Sequence, residues 1–114
     1  MKIQSFEDII AWKKAKELTI ASYSLFKNHK DFDFRSQILR SAVSIMNNIA
    51  EGFERMSDKD LRNFLYISKG SCGEYRSMLY LAYELKYINT AQFTLLKEKA
   101  LEISRILSGF IKTL

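Results

Sequence analysis

Between Ser57 and Tyr87 the chain places apolar or small residues at Leu61, Leu65, Ser68, Cys72, Tyr75, Leu79 and Ala82, in steps of 4, 3, 4, 3, 4 and 3. Such spacing belongs to a helix that lays one stripe against its neighbours. Leu96, Ala100, Ile103, Leu107, Phe110 and Leu114 repeat the rhythm in the last segment. Upstream, Ala11, Ala15, Leu18, Ser22, Leu25 and Phe26 fall on one helical face, and Ile38, Ala42, Ile45 and Ile49 form a second seam, broadened by Leu39, Met46 and Phe53. The pattern predicts four helices, at about 6–28, 35–55, 57–87 and 91–113, within one domain spanning 1–114.

Local signals mark the boundaries. Ser5 with Asp8, and Ser57 with Asp60, have capping-box spacing, while Asp31 or Asp33 is placed to cap the second helix. Asn89-Thr90 supplies a stop and the next cap, and Phe32 and Phe34 are expected to tuck into the end of the core. Short connections favour antiparallel neighbours, so the expected fold is all-α, an antiparallel up-down-up-down four-helix bundle.

Composition agrees with that reading. Among 114 residues there is no proline and there are four glycines, which permits long uninterrupted helices. No apolar run approaches a membrane span, and Met1 to Asp8 lacks the apolar stretch of a secretory signal; with a single cysteine, a cytoplasmic protein is expected, with no membrane role. His29 has no second histidine or cysteine near it, so neither a metal nor a cofactor is expected; Cys72 reads as a buried thiol.

Three features are candidates for function. On the second helix Gln37, Ser44, Asn48, Glu51 and Arg55 form a polar flank, while Glu74 on the third projects among Ile67, Met78, Leu81 and Leu85. A carboxylate in that company needs partners, so Asn48, Glu51, Arg55 and Glu74 are expected to form a buried polar network that fixes register. Without a nucleophile, metal-ligand set or phosphate loop, the carboxylates do not make a catalytic site, and no catalytic residue is assigned. Gly70, Gly73 and Ser77 lie on the opposite side of the third helix, where glycine costs about 1 kcal/mol relative to alanine. Close approach of a second chain is the expected return, with Tyr66, Tyr80, Tyr83 and Tyr87 joining that interface. Lastly, Arg62, Lys69 and Arg76 share a side with several of these tyrosines, and Lys13, Lys14 and Lys16 form a second basic group. With a net charge of +5, cations interleaved with aromatics suit either a protein interface or a nucleic-acid surface.

The string Gln37-Ile38-Leu39-Arg40-Ser41-Ala42-Val43-Ser44-Ile45, followed by Asn48-Ile49-Ala50-Glu51-Gly52 and later by Gly70-Ser71 and Glu74, resembles the four-helix-bundle proteins encoded in 23S rRNA intervening sequences. Trp12, Ala15, Leu18 and Tyr23 extend the resemblance to nearly the whole chain. Departures are Leu39 where the family often has a second arginine, Met46 where proline is common, and Lys86 where a glycine often precedes Tyr87. The resemblance implies a homo-oligomer, commonly a pentameric ring. A related branch, the accessory variability determinant of diversity-generating retroelements, implies as partners a reverse transcriptase and RNA or DNA. The expectation is a non-enzymatic, self-associating adaptor; the alternative is a structural or protein-interaction module that binds no nucleic acid.

Overall fold

The computed structural model describes residues 3–114 as four helices, and no strand occurs among the described residues. They are α1 (Ile10–Phe26), α2 (Phe32–Glu54), α3 (Asp58–Glu84) and α4 (Thr90–Lys112). α2 packs on α1 and α3, and α4 packs on α3 and α1, so α1 and α3 sit on a diagonal in an antiparallel bundle 42 Å long. The α3 seam is buried at every expected position from Leu61 to Ala82, as are Ile38, Ala42, Ile45 and Ile49 of α2. In α4 the core takes Leu96, Ala100, Ile103 and Leu107, but Ile111 replaces Phe110 and Leu114, which are only half buried.

The helix ends follow local chemistry. α1 starts later than expected, because Phe6–Asp8 closes a separate 3-10 turn in which Asp8 accepts from the N–H groups of Gln4 and Ser5, both at 3.3 Å. Asp31 caps α2 by accepting from the Phe34 N–H at 3.2 Å, and Ser57 caps α3 by accepting from that of Asp60 at 3.1 Å. Asn89 and Gln92 exchange side-chain and main-chain bonds of 2.8 and 2.9 Å at the start of α4, a reciprocal capping box.

α3 ends in a Schellman motif. The Tyr87 N–H reaches the Ala82 carbonyl at 2.8 Å and that of Lys86 reaches Tyr83 at 3.0 Å, with Lys86 left-handed at φ 61°. The glycine common there in the resembled family would meet this conformation without a Cβ penalty.

Polar groups inside the bundle are small hydroxyls with nearby partners. Tyr75 spans the diagonal, its hydroxyl 2.6 Å from Ser22 Oγ, and burial pushes its phenol up to about 12 despite that bond. Thr19 donates to the Ala15 carbonyl at 2.8 Å and lies 3.2 Å from that of Ala42 in α2. At one end of the bundle an aromatic group joins the two connectors. Tyr87 packs against His29 and Phe34 (ring centroids 4.2 and 5.1 Å apart) and donates to Asp31 Oδ2 at 2.6 Å. That bond and the Phe34 N–H hold the Asp31 carboxyl below the usual carboxylate range. His29 is half buried in this group, its Nδ1 accepting from the Asp31 N–H at 3.1 Å. Phe34 reaches the core as expected, but Phe32 points outward and is 64% exposed.

Candidate nucleic-acid interface

The basic stripe of α3 turns towards α4. Arg62, Lys69 and Arg76 are seven residues apart, about 10 Å per step along the axis, and all three are half buried. Arg62 Nη2 donates to the main-chain oxygen of Leu114, and Lys69 Nζ donates to Ser104 Oγ at 3.1 Å. Arg76 has a buried Nε that finds no hydrogen-bond partner among the described residues. α4 adds a fourth cation that the sequence reading missed. Lys97 Nζ lies 5.6 Å from the ring centroids of both Tyr80 and Phe93. Tyr80 and Tyr83 pack on Phe93 with centroids 5.0 and 4.9 Å away, and the Tyr83 hydroxyl lies 3.0 Å from Thr90 Oγ1. Tyr80 nevertheless remains half exposed. Two ion pairs occur among the described residues, Lys14–Glu102 and Arg55–Glu51, and neither involves Lys69, Arg76 or Lys97. The α3–α4 groove is therefore a cationic, aromatic-edged strip.

The second basic group does not cohere. Consecutive helical residues diverge by about 100°, which sends Lys14 to Glu102 of α4 at 3.5 Å while Lys16 lies over the Trp12 ring, 5.4 Å from its centroid. Lys13 instead borders an apolar cleft with Ile10, Ile106 and Phe110.

The expected buried network of Asn48, Glu51, Arg55 and Glu74 does not form. Glu74 is exposed and makes no hydrogen bond among the described residues, and Arg55 pairs at 2.8 Å with Glu51 on the surface. The α2–α3 interface uses serines instead. Ser44 Oγ meets Ser71 Oγ at 2.8 Å, Asn48 Nδ2 donates to Ser44 Oγ at 3.0 Å, and Ser68 Oγ donates to the Ile45 carbonyl at 2.7 Å. Short hydroxyls satisfy themselves on a facing backbone at lower desolvation cost than a carboxylate, so the serines hold the interior and Glu74 the rim. Ser68 lay in the α3 stripe, and that was the available signal; Ser71 fell outside it.

The residues expected at an oligomer interface divide. Gly70, Ser77 and Tyr66 are exposed; a Cβ at Gly70 would meet open space, and one at Gly73 only the Arg76 guanidinium at 3.7 Å. Tyr80 and Tyr83 are partly engaged by α4. Tyr87 is a correction: its ring and hydroxyl are committed to His29, Phe34 and Asp31 of the same chain, because the chain turns at Lys86 and leaves the helical path. Within the chain, two helices approach closely at Gly52 of α2, where a Cβ would stand 2.6 Å from Phe64 Cβ. The Cys72 thiol is wholly buried, and burial raises it to about 11 against the pull of Arg76 and Lys69.

A protein family described as 23S rRNA-intervening sequence protein matches residues 7–109, nearly the whole chain. The chain belongs to the 23S rRNA-intervening sequence protein family. A crystal structure of a protein of unknown function, assigned to the S23 ribosomal protein family and from Bacteroides thetaiotaomicron VPI-5482, is 30% identical. It superposes with a TM-score of 0.86 over 90% of this chain and 99% of that one. No curated protein matches. Among the described residues no group of three His, Cys, Asp or Glu side chains is placed to hold a metal, and no helix is long and apolar enough to cross a membrane.

Proposed function

We propose that this member of the 23S rRNA-intervening sequence protein family is a non-enzymatic, self-associating helical adaptor of the cytoplasm that binds nucleic acid along the α3–α4 groove. The observation that carries the reading is Arg76, whose buried Nε has no partner among the described residues, on the same side of α3 as Lys69 and as Tyr80, over which Lys97 lies, with no carboxylate paired to any of the three cations. An unsatisfied buried donor costs about 1–3 kcal/mol, and a phosphate oxygen in the groove is an acceptor that would offset it. Tyr80 offers a half-exposed ring beside the cations on which a base can stack. The absence of chemistry from the proposed role rests on the inert Cys72 thiol and on carboxylates that are solvated or already paired.

Gel shifts with structured and single-stranded RNAs at low and high salt test this. The expected result is binding that weakens steeply with salt and is lost in the triple variant Lys69→Ala, Arg76→Ala, Lys97→Ala, each cation contributing about one unit to the salt slope. Failure to bind at low salt, or equal binding by the triple variant, overturns it. A protein-interaction module is the second reading, favoured by the donors that Arg62 and Lys69 already spend within the chain.

A further inference from the structure

Away from that groove, the start of α1 and the last two turns of α4 frame a cleft of about 570 Å³. Its walls are Ile9 and Ile10 on one side and Ile106 and Phe110 on the other. The volume falls within the range of about 300–1,000 Å³ typical of small-molecule sites, and the walls are apolar as such sites are. Gly109 forms part of the floor. It stands inside α4, where glycine is the least favoured residue after proline, and a Cβ built on it would meet no atom of the described residues within 4 Å. What the missing side chain leaves is depth. The polar groups at the far end are already committed: Asp8 accepts from the N–H groups of Gln4 and Ser5, and the Thr113 hydroxyl donates to the Phe110 carbonyl at 2.7 Å. Lys13 also borders the cleft, and its ammonium enters no ion pair among the described residues. The Lys14–Glu102 pair sets the register of these antiparallel helices, so Lys13 lies towards Ile106, with Ile3, Asp8 and Thr113 towards the opposite end.

We propose that this cleft binds a free medium-chain fatty acid, its carboxylate on Lys13 and its chain laid over Gly109 between Ile10 and Phe110. The apolar walls take the chain, and the one uncommitted cation takes the charge. Asp8 sets the direction, because a carboxylate at its end of the cleft would meet a like charge. Ile106 to Thr113 spans about 10 Å along α4, the reach of an extended chain of about eight carbon–carbon bonds. A chain of about ten carbons therefore fills the cleft. The site uses neither α3 nor any cation of the α3–α4 groove, so it stands or falls apart from the nucleic-acid reading.

Calorimetric titration of the full chain with decanoate, kept below its micellar concentration, tests this. The expected result is one saturable site per chain. Octanoate, two methylenes shorter, should bind about sixteenfold more weakly, at about fourfold per methylene. Decanol keeps a chain of the same length without the charge and should bind about fivefold more weakly than decanoate. Lys13→Gln should lower decanoate affinity by that same factor and leave decanol unchanged. Gly109→Leu fills the floor and should abolish binding of both, with helix content by circular dichroism unchanged. Lys13 is exposed, so its substitution carries the test even if Gly109→Leu disturbs the fold. No saturable binding, decanol binding as tightly as decanoate, or unaltered binding by a folded Gly109→Leu variant overturns the proposal. Sedimentation with zwitterionic vesicles free of fatty acid is the second arm. A protein that pellets with them yet ignores dissolved decanoate recognises a membrane surface, and that too overturns it.

Discussion

α3 meets α2 and α4 in two different ways. Against α2 it presents Ser68, Ser71 and the β-carbon of Phe64, which face Ile45, Ser44 and Gly52; the residues are small and the contact is close. Against α4 it presents Arg62, Lys69, Arg76, Tyr80 and Tyr83, long side chains whose stems cover apolar surface while their heads stay near the rim. Small residues draw two backbones together and leave nothing on the outside. Long cationic and aromatic residues hold a groove open and leave charge within reach of solvent. One helix thus has a structural side and a side available for recognition, and substitutions on the two should obey different rules.

The largest expected effect lies on the close side. A Cβ at Gly52 would fall 2.6 Å from Phe64 Cβ, an atom fixed to its own backbone, so Gly52→Ala forces α2 and α3 apart. Overpacking of that kind costs about 1–3 kcal/mol and outweighs the helix propensity that alanine brings, about 1 kcal/mol at most. Gly70→Ala is the control with opposite sign. No atom of the described residues lies within 4 Å of its Cβ position, so the propensity gain of about 0.5–1 kcal/mol should appear as added stability. Urea melts of both variants measure the pair, and equal signs would erase the distinction between the two sides of α3.

What could be read from the chain follows the same division. The 4–3 rhythm exposes the inner stripe of α3 because a core-facing stripe repeats at the helical period, and each of its residues from Leu61 to Ala82 is buried. Glu74 was misread because α3 carries a second apolar stripe, Ile67–Leu81–Leu85, and periodicity cannot say which stripe faces the partner helices. Lys13, Lys14 and Lys16 looked like one group because they are close along the chain, although a helix scatters adjacent residues around its axis. Lys97 escaped notice for the reverse reason: it joins Lys69 and Arg76 only once α4 folds back along α3. Tyr87 was assigned by helical projection to a face that ceases to exist after Lys86.

An intermediate effect is expected on the open side. Arg76→Met keeps the apolar stem of the side chain and removes a buried donor that has no partner among the described residues, so stability should hold or rise by about 1 kcal/mol, as removal of an unsatisfied polar group allows. RNA binding should fall at the same time, and its salt slope should drop by about one. A gain in stability with a loss in affinity marks a residue that serves recognition. Loss of both would make Arg76 structural and leave the two sides of α3 alike.

The smallest effect concerns the connectors that lead from α3 to each neighbour. Both turn through a left-handed residue that is not glycine, Met56 at φ 64° after α2 and Lys86 at φ 61° after α3. Such a residue costs about 1–2 kcal/mol in that conformation, and glycine removes the cost while adding freedom worth about 0.5–1 kcal/mol to the unfolded chain. Lys86→Gly should therefore stabilise by a net of about 0.5–1 kcal/mol, or roughly 2–4 °C in Tm. Its side chain is exposed, and the two Schellman bonds to Tyr83 and Ala82 are main-chain and survive the change. Met56→Gly removes the same conformational cost, but Met56 also borders a cleft with Phe53 and Leu61, so part of its gain should be lost with that apolar contact. Thermal melts that rank Lys86→Gly above Met56→Gly, with both above wild type, would locate the difference between the two connectors in packing against the core. The reverse ranking would mean that the Met56 side chain contributes nothing to the close side, and that the two turns differ in backbone geometry alone.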